Sequence, residues 1–250
     1  MHIDKCKQKN YNVHGIHVKE KSVRRITMEY NGNNQAKIIG SVEDELKFSH
    51  QVYGEKFYIF TLKVPRLSGT FDYIKVLTSE RLLCDCSFKQ GEFIEIEGQF
   101  RSYNSSDETT NKLVLTVFAK DIRPCDEMAS KNPNSLFLDG YICKQPVYRT
   151  TPFGREITDM LLAVNRTYSK SDYIPVIAWG RNARFCKNFE VGDHIRVWGR
   201  IQSRTYQKHL SDEEIVTKTA YEVSVNRLET ADEEDTFVSD EEKEMAETTE

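Results

Sequence analysis

No run of about 18 apolar residues occurs anywhere in the 250-residue chain, so no segment is long enough to cross a bilayer as a helix. The opening residues MHIDKCKQKN lack the apolar core of a secretory signal, and a cytoplasmic location is the expectation. Six cysteines are present without a single C-x-x-C pair, which excludes the usual zinc and redox spacings; the thiols are expected to be reduced and mostly buried. His14 and His17 stand near Cys6, but no fourth ligand has suitable spacing, so no metal or other cofactor is expected. P-loop, G-x-S-x-G and H-E-x-x-H motifs are missing, as is a carboxylate cluster with nuclease spacing. The expected function is therefore not that of an enzyme.

Charge is present, and it is segregated. Residues 229–250 hold eleven Asp and Glu against Lys243 alone, whereas residues 1–228 hold 34 basic and 28 acidic side chains, a net +6. A basic body with an acidic tail points to a polyanionic partner, because an ordinary solvated face needs no such partition. Residues 1–33 read as a basic, flexible leader, and the tail from 229 reads as disordered, since it offers too little apolar surface to offset ordering entropy.

Between leader and tail the sequence repeats itself. An offset of 100 matches Asn34 with Asn134, Gly40 with Gly140, Leu62 with Leu162, Asp72 with Asp172, Tyr73 with Tyr173, Arg81 with Arg181 and Cys86 with Cys186. One inserted residue later, Gly98 matches Gly199 and Ser102 matches Ser203. This predicts two copies of one domain, 34–125 and 134–228, joined by a polar linker at 126–133.

Within each copy the apolar pattern alternates as strands do. In DYIPVIAWGR, residues 172–181, Ile174, Val176 and Ala178 fall on one face, while Tyr173, Pro175, Ile177 and Trp179 fall on the other. A short helical face follows through Ala183, Cys186 and Phe189, and Gly199 interrupts a later strand where a bulge or bend is expected. Five strands with a helix between the third and fourth predict an all-β chain of two tandem OB-fold barrels. Large aromatics beside Arg181 on an outward face suit a flat ligand, and a phosphate line with exposed bases supplies one.

The second copy resembles the bacterial single-stranded DNA-binding proteins. The resemblance is carried by NSLFLDGYI at 134–142, PVYRTTPFG at 146–154, LLAVNRTY at 161–168, DYIPVIAWGR at 172–181 and VWGRIQSRTY at 197–206. It implies base stacking on Tyr168, Tyr173, Trp179 and Tyr206, with Arg149, Arg166, Arg181, Arg200 and Arg204 along the same groove. It also implies a four-barrel assembly, hence a homodimer of this chain. Family tails end in an acidic Pro-Phe tip that docks replication and repair proteins; this one ends in Glu-Thr-Thr-Glu.

The first copy keeps Tyr73 but has Ser68, Ser79 and Ser105 where the second has Tyr168, Trp179 and Tyr206. Residues 34–133 carry 13 basic and 15 acidic side chains, against 14 and 10 in 134–228. The first copy is thus expected to be the weaker binder. Two other readings fit the same residues. One is an interaction module of a replication-restart complex or mobile element, suggested by the degenerate first copy. The other is an RNA-binding OB protein, since no 2′-hydroxyl reader is identifiable.

Overall fold

A computed structural model describes residues 32–105, 112–126, 132–209 and 215–231. The expected leader up to residue 31, most of the linker and nearly all of the acidic tail lie outside these residues. The chain is built almost wholly of strands. The first half contains β1 (Asn34–Val42), β2 (Lys47–Val52), β3 (Glu55–Pro65), β4 (Phe71–Ser79), α1 (Glu80–Asp85), β5 (Phe93–Ser105) and β6 (Lys112–Pro124). The second half contains β7 (Asn134–Thr150), β8 (Glu156–Arg166), β9 (Lys170–Trp179), α2 (Arg181–Cys186), β10 (His194–His209) and β11 (Ile215–Thr230).

Each half closes into an OB barrel by the same pairings. In the second, β7 pairs antiparallel with β8 and β10, β8 with β9, and β10 with β11, and a short parallel contact of β9 with β11 completes the ring. The first half repeats this with β1, β3, β4, β5 and β6. Its first strand departs from the expected five-strand count, because residues 43–46 break it into β1 and β2. The cause is Asp44, whose carboxylate accepts the Thr61 N–H at 2.6 Å and its hydroxyl at 2.9 Å, folding the chain away from the ladder. β7 stays continuous by absorbing two register shifts between Ile142 and Val147 instead.

The alternation seen in the sequence sets the core. Ile74 and Val76 on β4, and Ile174 and Val176 on β9, are fully or almost fully buried and belong to one apolar cluster that runs through both barrels. The bend glycines fall where expected, at bulges in β5 and β10. A Cβ at Gly98 would stand 2.1 Å from the Phe118 carbonyl oxygen, and one at Gly199 would stand 2.4 Å from that of Ser224, so no side chain fits. The cysteines depart from expectation. Among the five described, only Cys86 and Cys186 are buried; Cys125 and Cys143 are half-buried and Cys84 is exposed, because they fall at strand ends or on outward positions. All five are free thiols.

The two barrels share a seam. β1 pairs antiparallel with β7, and Ala36 faces Leu136, its own counterpart one repeat later. Asn34 faces Leu138 and Ile38 faces Asn134, so a local two-fold axis relates the halves and joins β11, β10, β7, β1, β5 and β6 into one continuous sheet. Across this axis the repeated Asp and Ser residues exchange partners. The buried Asp72 carboxylate accepts the Ser203 N–H at 2.7 Å, and Ser203 Oγ accepts the Tyr73 N–H at 2.9 Å. Reciprocally, buried Asp172 accepts the Ser102 N–H at 2.6 Å, and Ser102 Oγ accepts the Tyr173 N–H at 2.7 Å.

Burial pushes the Asp172 carboxyl above its ordinary pKa of 3.8, although the Ser102 N–H and the Arg166 and Arg101 guanidiniums pull it down. The native state then holds this proton more tightly than the unfolded chain, so the stability associated with Asp172 is complete below the unfolded pKa and declines as pH rises through the folded one. Replacing Asp172 with Asn removes that step. The melting-temperature difference between variant and wild type should change with pH just above about 4 and level off toward neutrality. A difference that stays constant through this range would show that the carboxyl does not titrate with a raised pKa.

Candidate nucleic-acid interface

β9 has a core face and an outward face, and the aromatics stand on the second. Ile174, Val176 and Ala178 are buried, Tyr173 is 47% exposed and Trp179 is half-buried where β9 turns through Gly180 into α2. Ile177 departs from the expected outward face: it is buried, because β8 and β11 flank it on both sides at Asp159 and Ser224. Tyr173 lies beyond the short β9–β11 contact and stays open.

The four predicted plates are spread over β9, the β8–β9 turn and the β10–β11 arm. Tyr173 and Trp179 sit six residues apart on one strand, a separation of about 20 Å at the usual rise per residue. Tyr168 stands around the β8–β9 turn, 92% exposed with φ 64°. Tyr206 projects from the β10–β11 arm, opposite Lys218 in the ladder and 41% exposed. Tyr73, on the other barrel, is comparably open, and its N–H is held by Ser203.

The arginines divide into two groups. Arg181 and Arg204 are exposed, and neither makes an ion pair among the described residues. Arg149 is exposed too, but its Nε donates to Asp159 Oδ2 at 2.6 Å. Arg166 and Arg200 are half-buried at the seam, which departs from the open groove expected of them. Arg166 Nε lies 3.3 Å from Asp172, and Arg200 Nη1 lies 3.4 Å from Asp72 while its Nη2 donates to Gln202. Arg166 approaches the buried Asp172 from the neighbouring strand of its own hairpin, whereas Arg200 reaches across the seam to the buried Asp72, which Arg66 already pairs. Burial also lowers the pKa of the Arg200 guanidinium, with Arg66 adding to the effect and Asp72 opposing it.

Sequence reasoning passed over several aromatics. Phe153, in the T-P-F-G turn between β7 and β8, is almost fully exposed, and Tyr148 stands on β7 with its hydroxyl donating to Glu156. The β7–β8 and β8–β9 turns therefore each present a ring to solvent, Phe153 and Tyr168. The signal was the presence of a large aromatic at the centre of a Thr-Pro/Gly turn, where polar residues usually sit. In the first barrel, Ser68 lies exposed in the β3–β4 turn and Ser79 stands at the start of α1, where its side chain makes no capping hydrogen bond. Among the described residues no cluster of His, Cys, Asp or Glu is arranged to hold a metal.

Comparison with known proteins bears on this geometry. Residues 133–231 match the Single-strand binding protein family. The chain is 35% identical over 103 residues to single-stranded DNA-binding protein A of Bacillus subtilis, an alignment covering 38% of this chain and 59% of that protein. Single-stranded DNA-binding protein 2 of Staphylococcus aureus strain Mu50 is 33% identical over 103 residues, with 38% of this chain and 72% of that protein covered. The chain thus spans about three fifths of the length of the first of these relatives and nearly three quarters of the second. The solved structure of the single-stranded DNA binding protein from Thermus aquaticus superposes with a TM-score of 0.64 over 80% of this chain and 94% of that one. At 22% identity, that likeness establishes the shared fold. On the strength of the matched second barrel and its strand order, this chain belongs to the single-strand binding protein family.

Proposed function

We propose that the chain binds single-stranded DNA with little sequence preference and protects it during replication, recombination or repair. The observation that carries the reading is the set of outward rings on one barrel, half-buried Trp179 with exposed Tyr173 and Tyr168, beside the exposed Arg181, which makes no ion pair among the described residues. Every base has a π face, so stacking tolerates any sequence and contributes about 1–3 kcal/mol per base, while phosphate contacts add a salt-sensitive share. The chemistry required is binding alone, without a catalytic group. No helix among the described residues is long and apolar enough to cross a membrane. A cytoplasmic, DNA-associated role is part of the proposal. Two chains would gather four barrels in a homodimer, which native mass spectrometry should report as twice the chain mass. The acidic tail is then available to replication and repair proteins.

Tyr168 supports the reading in a second way. A non-glycine residue with positive φ costs roughly 1–2 kcal/mol, and a residue held in that state while fully exposed gains nothing from packing. Tyr168→Gly should therefore raise stability by about 1 kcal/mol in thermal melts while weakening binding to oligonucleotides. A variant that loses stability would mean that the ring packs against the fold.

Titration with poly-dT should quench tryptophan fluorescence, with affinity falling steeply as salt rises. The quenching should vanish in Trp179→Phe and persist in Trp198→Phe, because the Trp198 ring lies between Phe137 and Arg227 on the sheet that carries the seam. Trp179→Ala should lower affinity about 5- to 150-fold without lowering the melting temperature. Tight binding to duplex but not to single strands would sink the proposal, and preference for a matched RNA oligomer would move it to RNA.

A further inference from the structure

The first barrel lacks the tryptophan of the second, yet its outward face is not bare of rings. Ser79 occupies the Trp179 position at the end of β4, and Phe57 is its ladder partner on β3, where the second barrel has Ile157 opposite Trp179. On the other side of β4, Phe118 of β6 stands where the second barrel has Ser224. The aromatic has thus moved from the strand to both of its neighbours. Phe57 and Phe118 are half-buried with ring centroids 6.2 Å apart. The line continues at both ends. His50 of β2 lies exposed and stacked on Phe57 at 5.0 Å with an interplanar angle of 9°, and the Arg101 guanidinium lies over Phe118 at 4.0 Å. Four strands therefore contribute one row, Arg101, Phe118, Phe57 and His50, of alternating origin and continuous surface.

At the Arg101 end the row opens into a cleft of about 480 Å³ between the barrels. Arg101, Lys120 and Arg166 line it beside Gln99 and Asn165, and the nearest carboxylate is the single buried Asp172. Three cations facing one acid leave a net positive cleft. Thr167 lies on its other wall, next in the chain to the exposed Tyr168 of the second barrel. Burial and the neighbouring Arg166 both press the Arg101 pKa down, a cost that an anion in the cleft would offset. Flat rings in a row leading from a cationic cleft suit one class of occupant, a single nucleic-acid strand whose phosphate fills the cleft and whose bases lie on the rings.

From this arrangement we infer that the first barrel carries a second single-stranded DNA track, which starts at the cleft of Arg101, Lys120 and Arg166 and runs over Phe118 and Phe57 to His50. The inference rests on the proposed function, and it gives the weaker first copy a definite path for the strand. A strand long enough to leave the second barrel at Tyr168 crosses the cleft and continues on these rings. A short strand is held by the second barrel alone.

The test is a titration of the full chain with dT oligomers of increasing length, comparing wild type, Trp179→Ala and a Phe57→Ala/Phe118→Ala double variant whose melting temperature is checked in parallel. The double variant should bind short oligomers as wild type does, bind long ones about 10- to 100-fold more weakly, and cover fewer nucleotides per chain. Trp179→Ala should weaken binding at every length. If the double variant matches wild type at every length, the second track is overturned and the second barrel's role stands. If wild type binds no oligomer at low salt, both readings fall. Photocrosslinking of the unmodified chain to a long 5-bromouracil oligomer reads the site independently of how the variants fold. Adducts on Phe57, His50 or Phe118 are expected, and adducts confined to residues 134–231 would overturn the second track.

Discussion

Two buried carboxylates decide how this molecule is put together. Asp72 and Asp172 are completely removed from solvent, and a charge in that position must find hydrogen-bond donors or destabilise the fold. Each finds a backbone N–H in the opposite barrel, from Ser203 and Ser102 respectively, together with an arginine of its own hairpin. Separating the barrels would strip each carboxylate of its serine N–H while leaving it beside its own arginine, and each such charge-assisted hydrogen bond contributes about 1.5–3 kcal/mol. The β1–β7 ladder adds backbone bonds along the same seam. These contacts, with the Ile39 N–H donating to the Pro133 carbonyl at 2.7 Å, join the halves along the seam.

The seam also reaches the binding surface. Each aspartate is followed by an outward tyrosine, and the serine that serves the aspartate accepts the N–H of that tyrosine. Tyr73 and Tyr173 are thus anchored through the opposite barrel at the backbone while their rings remain open to solvent. A base stacked on Tyr173 would meet a plate whose position depends on Ser102, some 70 residues earlier in the chain. Rigidity at these positions lowers the ordering cost of binding, because the strand meets plates already in place.

Much of this was legible in the sequence. The offset repeat gave the two copies, the alternation in DYIPVIAWGR gave a core face and an aromatic face, and Gly98 and Gly199 marked the bulges. What escaped was everything that depends on a partner in the other barrel. Asp72, Asp172, Ser102 and Ser203 were visible as matched pairs, yet nothing local says that each aspartate is paired with the other copy's serine. Arg166 and Arg200 read as groove cations for the same reason, since the acids they approach are distant in sequence or buried. Phe57 and Phe118 were missed by comparing the copies position by position. A sheet surface is two-dimensional, and a ring moved one strand sideways remains part of the same surface.

The divergence between the copies follows a pattern that the seam explains. Asn34 and Asn134 each bridge to the backbone of a neighbouring strand with the same pair of hydrogen bonds, and the Asp and Ser exchange is likewise kept on both sides. Away from these contacts the same two side-chain types are exchanged: Gln99 and Arg101 on β5 stand where Arg200 and Gln202 stand on β10. In both strands the guanidinium donates to the amide two residues away, so the local pair is preserved and only its order is reversed. The consequence is electrostatic. Arg200 reaches Asp72, which Arg66 already neutralises, and Asn226 completes that cleft without a charge. Arg101 instead lies over Phe118, with Lys120 in the place of Asn226, and the opposite cleft keeps a positive excess. Each cleft thus sets two arginines against one aspartate, and the added cation Lys120, together with the reversed order on β5, gives the cleft beside Phe118 the larger positive excess.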